Sequence, residues 1–514
     1  MWRGQCSSRY CGGMKRRVAF SVLIFINLVP IWAVSTLPMG DLGAHIELMD
    51  IALRFDSPET LYSEYYRLPS SWFLPNALSL VLARWLGPLF GVEGVVRLLL
   101  SAYVIGLPLS LSELAGATGR SRWLGLFGCA LTYNALVNVG FLNFLIGLPL
   151  MLLATATAIR FGKRPSLATG AGVVGLLLTL FMAHAMIFLV TTAIVVAVLV
   201  VYAQRARDLW TPLLVVPGVV AMAGWLSDLL GEQTKELPLF TDEGLGLVFD
   251  PVSTRLLRVH VWGLSYFRDL SDNVFAFAVL GIWVLLLLWT PRGAGASNSE
   301  RPHALMWLKN NVPVWIALAF AFSYFVLPSH MRFVSVIAQR LAVPTFLFAA
   351  LIPRYEVSDR RQSLLLSALA FMVVAYSANV TLQFRRFERD VVGNLRDGIA
   401  ALPERSRLGY AMMRDDNPVT FMGPTWHLPK AFHSLENGGI TNDSFAANQA
   451  APIRYQRGMR PPELAEGLED RFYDHLLTFG ETGADGSRSA YAPERLVFED
   501  QQWNLYRTHG PDSP

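Results

Sequence analysis

Over most of its length this chain groups its apolar residues into runs, most of roughly 17 to 25, long enough to cross about 30 Å of hydrocarbon as a helix. They occupy positions 18–37, 95–115, 123–136 with 141–159, 167–183 with 186–203, 209–228 with 274–290, 310–327 with 333–353, and 362–380. The run at 72–90 differs, because it carries Pro75, Arg84, Gly87 and Pro88. It is expected to lie in or dip into the outer interface rather than cross. Beyond 380 the pattern changes to charges, Gly and Pro with short alternating runs at 407–413, 472–479 and 495–507. There Leu496-Val497-Phe498 and Trp503-Asn504-Leu505 flank an expected hairpin turn. The predicted fold class is mainly α: a polytopic helical membrane protein of about 11 transmembrane helices, followed by a small C-terminal α/β domain.

Composition sharpens this picture. Of 514 residues, 53% are hydrophobic and 16% charged, and mean hydropathy is +0.38, whereas soluble proteins carry about 25% charged residues. An ordinary cytosolic enzyme, a disordered protein and a secreted disulfide scaffold are excluded. The net charge of +4 is small, and the basic residues fall mainly between apolar runs, so they report topology and not nucleic-acid binding. Cys6, Cys11 and Cys129 fit no zinc spacing or disulfide framework.

Basic clusters at 3–17, 120/122, 160–164, 205/207, 292–309 and 354–361 mark cytoplasmic segments. Residues 1–17 are then a cytoplasmic tail and 18–380 the transmembrane domain. The outer loops are 38–94 and 229–273, and 381–514 form the extracytoplasmic domain.

Directly after the first run comes Gly40-Asp41-Leu42-Gly43-Ala44-His45-Ile46-Glu47. Asp41 and His45 are four positions apart, which places an acid and an imidazole on one face of a helix. An Asp that caps this helix, with His45 on its exposed face, accounts for the same residues. Arg340 sits in an apolar run, 333–344, with no acid nearby in sequence. About 10 Å below the outer end of its helix, an unpaired guanidinium costs several kcal/mol, so it needs an anion. Asp228 or Glu93 could supply one, and so could a lipid phosphate, which the guanidinium fork matches bidentately. His184 falls at a tight outer turn, where an interfacial role competes with a catalytic one. Trp426, His427 and His433 read as packing and surface residues, and Asn442-Asp443-Ser444 matches a glycosylation sequon.

The acid after the first helix, the aromatic and proline loop around Tyr62, Tyr65, Tyr66 and Pro69, and the segment Gly91 to Leu98 with its Glu93 and Arg97-Leu98 together resemble the GT-C superfamily of integral membrane glycosyltransferases. Leu402-Pro403-Glu404, His427-Leu428-Pro429, Gly438-Gly439-Ile440 and Tyr473-Asp474 are similar to the tails of bacterial, exopolysaccharide-type members. The resemblance implies an inverting enzyme of a bacterial inner membrane. Such an enzyme moves a sugar from a polyprenyl-phosphate donor to a glycan or lipid acceptor outside. Members use an acid of the first outer loop as catalytic base or metal ligand, and Asp41 matches it, with His45 assisting. Arg340, Glu47, Arg97, Tyr66 and His184 become the substrate-binding candidates, and a divalent cation (Mg or Mn) could share the leaving-group charge. The chain departs from many members in having a lone Asp41 in place of an acidic pair, which weakens the argument for a metal. The competing classes are a lipid-linked substrate transporter or flippase, against which the lack of visible inverted repeats speaks, and a non-catalytic envelope-assembly scaffold.

Overall fold

The computed structural model describes residues 5–203, 205–236, 246–269, 271–289, 304–331, 334–354, 360–412, 417–421, 424–448, 450–464, 472–480, 495–500 and 502–508. Arg292, Arg301 and positions 237–245 of the expected second outer loop lie outside the described residues. The chain is mainly helical, at 68% helix. Among the described residues, six helices are long and apolar enough to cross a membrane: Leu78–Ala117, Leu142–Lys163, Ala185–Tyr202, Asp208–Leu229, Ser271–Leu288 and Arg360–Val392. Ala304–Asn310 and Val312–Val326, bent by 86°, make a seventh if taken as one span. Val18–Trp32 and Leu167–Ala183 are apolar but shorter. Large apolar side chains such as Leu318, Phe322, Phe371 and Leu382 face outward, as suits helices whose surroundings are hydrocarbon.

The count falls below about 11 because several apolar runs do not form one long helix. The run at 123–136 breaks into Arg122–Gly125, Leu126–Ala130 and Ala135–Val139. Asn134 causes the last break: in extended backbone, its side-chain oxygen accepts the N–H groups of Leu136 and Val137 and opens a new helix. The run at 333–353 is likewise not a continuous helix. It passes through a turn at Gln339–Leu341 into the eight-residue helix Ala342–Ala349, with Val336 in the left-handed region at φ 60°. Arg340 therefore sits in the opening turn of a short helix and not partway down a long one. Residues 78–117 form a helix that kinks at Gly91 (φ 68°, ψ 167°), which separates the first part, with Arg84 and Pro88, from the second.

The alternating runs of the tail are strands. A five-stranded sheet runs in the order Ile440–Thr441, Arg407–Met412, His475–Phe479, Trp503–Arg507, Leu496–Asp500. The first three strands are parallel, and the last two pair antiparallel.

Three segments far apart in sequence meet on one side of the helices. The helix Leu42–Arg54 packs on Leu428–Asn437, and Tyr66-Arg67 pairs antiparallel with Arg454-Tyr455. The Tyr266 hydroxyl donates to the Pro38 carbonyl at 2.8 Å, and Arg268 N–H donates to Val419 at 3.0 Å. Buried Asp50 holds the first of these contacts. It accepts from Arg54 Nε at 2.8 Å and Nη2 at 2.6 Å and from the Tyr62 hydroxyl, while Arg54 and Tyr62 also donate to the Ser434 carbonyl of the tail helix. Removing one member of such a pair strands the other. Asp50→Ala should lower the unfolding free energy by about 3 kcal/mol, read by denaturation in detergent; an unchanged midpoint would show that this junction does not depend on the ion pair.

Candidate active site

Asp41 is positioned by its backbone. The turn before it lies against the C-terminal end of Ala135–Val139, where Gly40 N–H donates to the Asn138 carbonyl at 2.8 Å and Asp41 N–H to the Val139 carbonyl at 2.6 Å. Asn138 Nδ2 returns a bond to the Pro38 carbonyl at 3.4 Å. Gly140 ends that helix in the left-handed region at φ 91°, and a Cβ there would fall 2.6 Å from the Asp41 nitrogen. Only glycine meets both demands. Asp41 occupies the N-cap position of Leu42–Arg54, yet its side chain makes no capping bond. The capping explanation of this acid therefore fails, and the carboxyl is left to other neighbours.

The residue after Gly140 leads to the arginine. The Phe141 ring centroid lies 3.9 Å from Arg340 Cζ, with Phe144 second at 5.9 Å. Arg340 donates through Nε to Val336 and through Nη2 to Ser335, each at 3.2 Å, and its Nη1 stands 3.0 Å from His184 Nε2. Of the carboxylates expected as partners, Glu93 is engaged elsewhere, by Arg396 at 3.0 to 3.2 Å. The carboxyl whose charge Arg340 feels most is Asp41, and Arg340 is the strongest cationic neighbour of Asp41.

On its other side Asp41 meets the tail. His427 Nε2 lies 3.7 Å from Asp41 Oδ1, and His427 Nδ1 lies 3.6 Å from Asp443 Oδ2. Asp443 is bound by Lys430 Nζ at 2.6 Å and by the Tyr410 hydroxyl at 3.2 Å. The side chain of Lys430 has no exposed surface. Phe445 presents its ring edge-on to both His45 (5.8 Å) and His427 (5.5 Å). Burial raises the Asp41 carboxyl to about 6, against the pull of Arg340 and Lys430. Burial also lowers His45 to about 4 and, with Lys430 adding to it, holds His427 well below the imidazole range. Both rings are therefore neutral at pH 7, beside a carboxyl that gains or loses its proton near that pH. A proton acceptor with this affinity suits general-base chemistry.

The other sequence candidates divide. His45 and His184 stand in the cluster. Glu47 and Tyr66 lie beneath it: Glu47 accepts from the Ser444 hydroxyl at 2.7 Å, Tyr66 stacks on Tyr455 at 5.0 Å, and both are buried. Glu47 fastens the tail to the Leu42–Arg54 helix, and Tyr66 fastens it to the loop beyond that helix. Burial raises Glu47 to about 7, opposed by Lys430 and Ser444. Arg97 lies outside the cluster, where it donates to the carbonyls of Ile31 (2.6 Å), Val34 (2.8 Å) and Ser35 (2.7 Å). These contacts satisfy the C-terminal end of the first helix. Arg97 also lines a cavity of about 30 Å³, room for about two waters and not for a sugar.

Sequence reasoning missed His427, Lys430 and Asp443 as members of this cluster. Asn442, read as a sequon, instead accepts the Tyr410 N–H at 2.9 Å and donates to the Tyr410 carbonyl at 3.2 Å. This two-way clasp brings Asp443 to Lys430. Among the described residues, no three His, Cys, Asp or Glu side chains converge as a metal-binding group. No protein-family model matches the chain, and no curated protein matches it.

Gly140→Ala should cost about 1–3 kcal/mol, from the left-handed backbone and the overlap with Asp41 together. The loss would appear as a lowered melting temperature in detergent and, in any assay of the site, as a loss comparable to that of an Asp41 variant. A neutral Gly140→Ala would disprove the backbone placement of Asp41.

Proposed function

We propose that this protein is a membrane glycosyltransferase that transfers a sugar from a polyprenyl-phosphate donor to an acceptor outside a bacterial inner membrane. In this reading the N-terminus is cytoplasmic, the tail is extracytoplasmic, and the chain crosses about eleven times once its short and broken apolar helices are counted. The observation that carries the proposal is that the backbone contact at Gly140 gathers Asp41, whose side chain makes no capping bond, and Arg340, which rests on Phe141 directly beyond it, into one buried cluster, two residues of opposite charge that an inverting transfer from a lipid phosphate requires at its two ends.

Asp41 accepts the proton of the acceptor hydroxyl as that oxygen attacks the anomeric carbon. The bond from the anomeric carbon to the phosphate oxygen breaks, its electron pair leaves on the polyprenyl phosphate, and the configuration inverts. Arg340 donates to the departing phosphate from a site already desolvated, where such a contact acts most strongly. His184 holds one edge of the guanidinium and Phe141 its face, so the fork is oriented before the donor arrives. His45, neutral and packed against Phe445, bounds the space around Asp41.

Release of polyprenyl phosphate from radiolabelled polyprenyl-phosphate sugars tests the reading. Asp41→Asn should reduce turnover about 10² to 10⁴-fold, the usual worth of a general base. Arg340→Ala should reduce it about 10² to 10³-fold. Wild-type turnover should fall as pH drops through about 6, because a protonated Asp41 has no lone pair to offer the hydroxyl. Unimpaired transfer by Asp41→Asn would remove the base; donor-lipid binding with no release by wild type would instead identify a carrier.

A further inference from the structure

The tail delivers His427 to Asp41 through an unusually close approach. Pro424–His427 forms a single turn at the start of the helix Leu428–Asn437, and its backbone reaches the opposite helix at Gly43, where a Cβ would fall 2.0 Å from the His427 carbonyl oxygen. Gly43 is thus the residue that lets the two helices meet here. The edge-on ring of Phe445 fixes the imidazole from the side. The ring bridges two carboxyls, with Nε2 toward Asp41 and Nδ1 toward Asp443, and Nδ1 is buried without a hydrogen-bond partner.

A neutral imidazole has one N–H, so it can serve only one of these carboxyls. Asp443 already accepts from Lys430 Nζ and the Tyr410 hydroxyl. Asp41 has no capping bond and stands near Arg340 and Lys430 without that saturation. The N–H therefore belongs on Nε2, facing Asp41. We propose that His427 is a positioning residue for Asp41, holding its carboxylate toward the acceptor hydroxyl, and that buried Lys430 makes this possible by occupying Asp443. At 3.7 Å the contact is longer than a hydrogen bond, and the N–H dipole acts on the Asp41 carboxylate through space in the substrate-free protein. The role rests on reading Asp41 as the base, and it makes the tail part of the active site.

The charged and titratable groups facing Asp41 are Arg340, Lys430, Asp443 and His427, with His45 one turn along its own helix. The contact is tested without any reaction by labelling the purified full-length protein with a carbodiimide across a pH series and following the Asp41 peptide by mass spectrometry. His427→Leu keeps the volume and removes the donor, which should raise the labelling midpoint of Asp41 by roughly one pH unit. His427→Gln keeps an N–H donor and should stay within about 0.3 unit of wild type. Thermal unfolding of both variants establishes that they are folded. No shift in the leucine variant, or equal shifts in both, overturns the proposal.

In the transfer assay His427→Leu should lower kcat about 10 to 100-fold with KM unchanged, and His427→Gln should recover most of it. If Asp41→Asn abolishes transfer while His427→Leu keeps the wild-type kcat, the positioning role fails alone. If the labelling shifts as expected but wild type transfers no sugar, the reading of Asp41 as a base fails while the His427 contact stands.

Discussion

Two peptide hydrogen bonds, from Gly40 and Asp41 to the last carbonyls of the helix Ala135–Val139, are the contact on which the rest of the site depends. The end of a helix leaves carbonyls without partners, and a buried one must find a donor. Here the donors come from the turn that follows the first helix. Supplying them fixes where Asp41 stands, where the helix Leu42–Arg54 begins and which way that helix runs toward the tail. The same junction releases Phe141 directly beyond Gly140, and Phe141 is the ring on which Arg340 rests. A carboxyl at position 41 and a guanidinium at position 340 thus meet on either side of one left-handed glycine.

Charge burial explains how the surroundings are arranged. Taking a charged group out of water is costly unless it is paired and hydrogen-bonded. Asp50 has Arg54 and Tyr62, Glu47 has Ser444, and Asp443 has Lys430 and Tyr410. Asp272, elsewhere in the bundle, accepts from Tyr376 and from the N–H groups of Tyr266 and Phe267. Asp41 differs from these in its bonding: its side chain makes no capping bond, and its neighbours act on it mainly through space. Arg340 is incompletely served too, leaning on two carbonyls, an imidazole and two aromatic faces in place of a carboxylate.

Much of the fold was legible along the chain, and for a local reason. A helix crosses a membrane because its own residues are apolar for long enough, so runs such as 141–159 and 186–203 declare themselves without reference to the rest of the molecule, and helices form at Leu142–Lys163 and Ala185–Tyr202. The breaks were harder to read. Asn134 ends one apolar run by capping the next helix, and the segment leading to Arg340 turns instead of continuing. Hydropathy summed over a window averages across both. Asp41, His45 and Arg340 stood out because charge beside or within apolar sequence is conspicuous. His427, Lys430 and Asp443 did not, since in a polar tail such residues look ordinary, and Glu47 and Tyr66 looked accessible when they are enclosed.

The sequence by itself determined that this chain is built mainly of apolar helices with a mixed α/β tail, because hydrophobic length and alternation are properties of contiguous residues. Only the tertiary structure decided which charges meet. Positions 41, 184, 340, 427 and 443 share no local period, and what joins them is the backbone contact at Gly140, the close approach at Gly43 and the desolvation that each group imposes on the others. Those are effects of packing in three dimensions, and no stretch of the chain contains them.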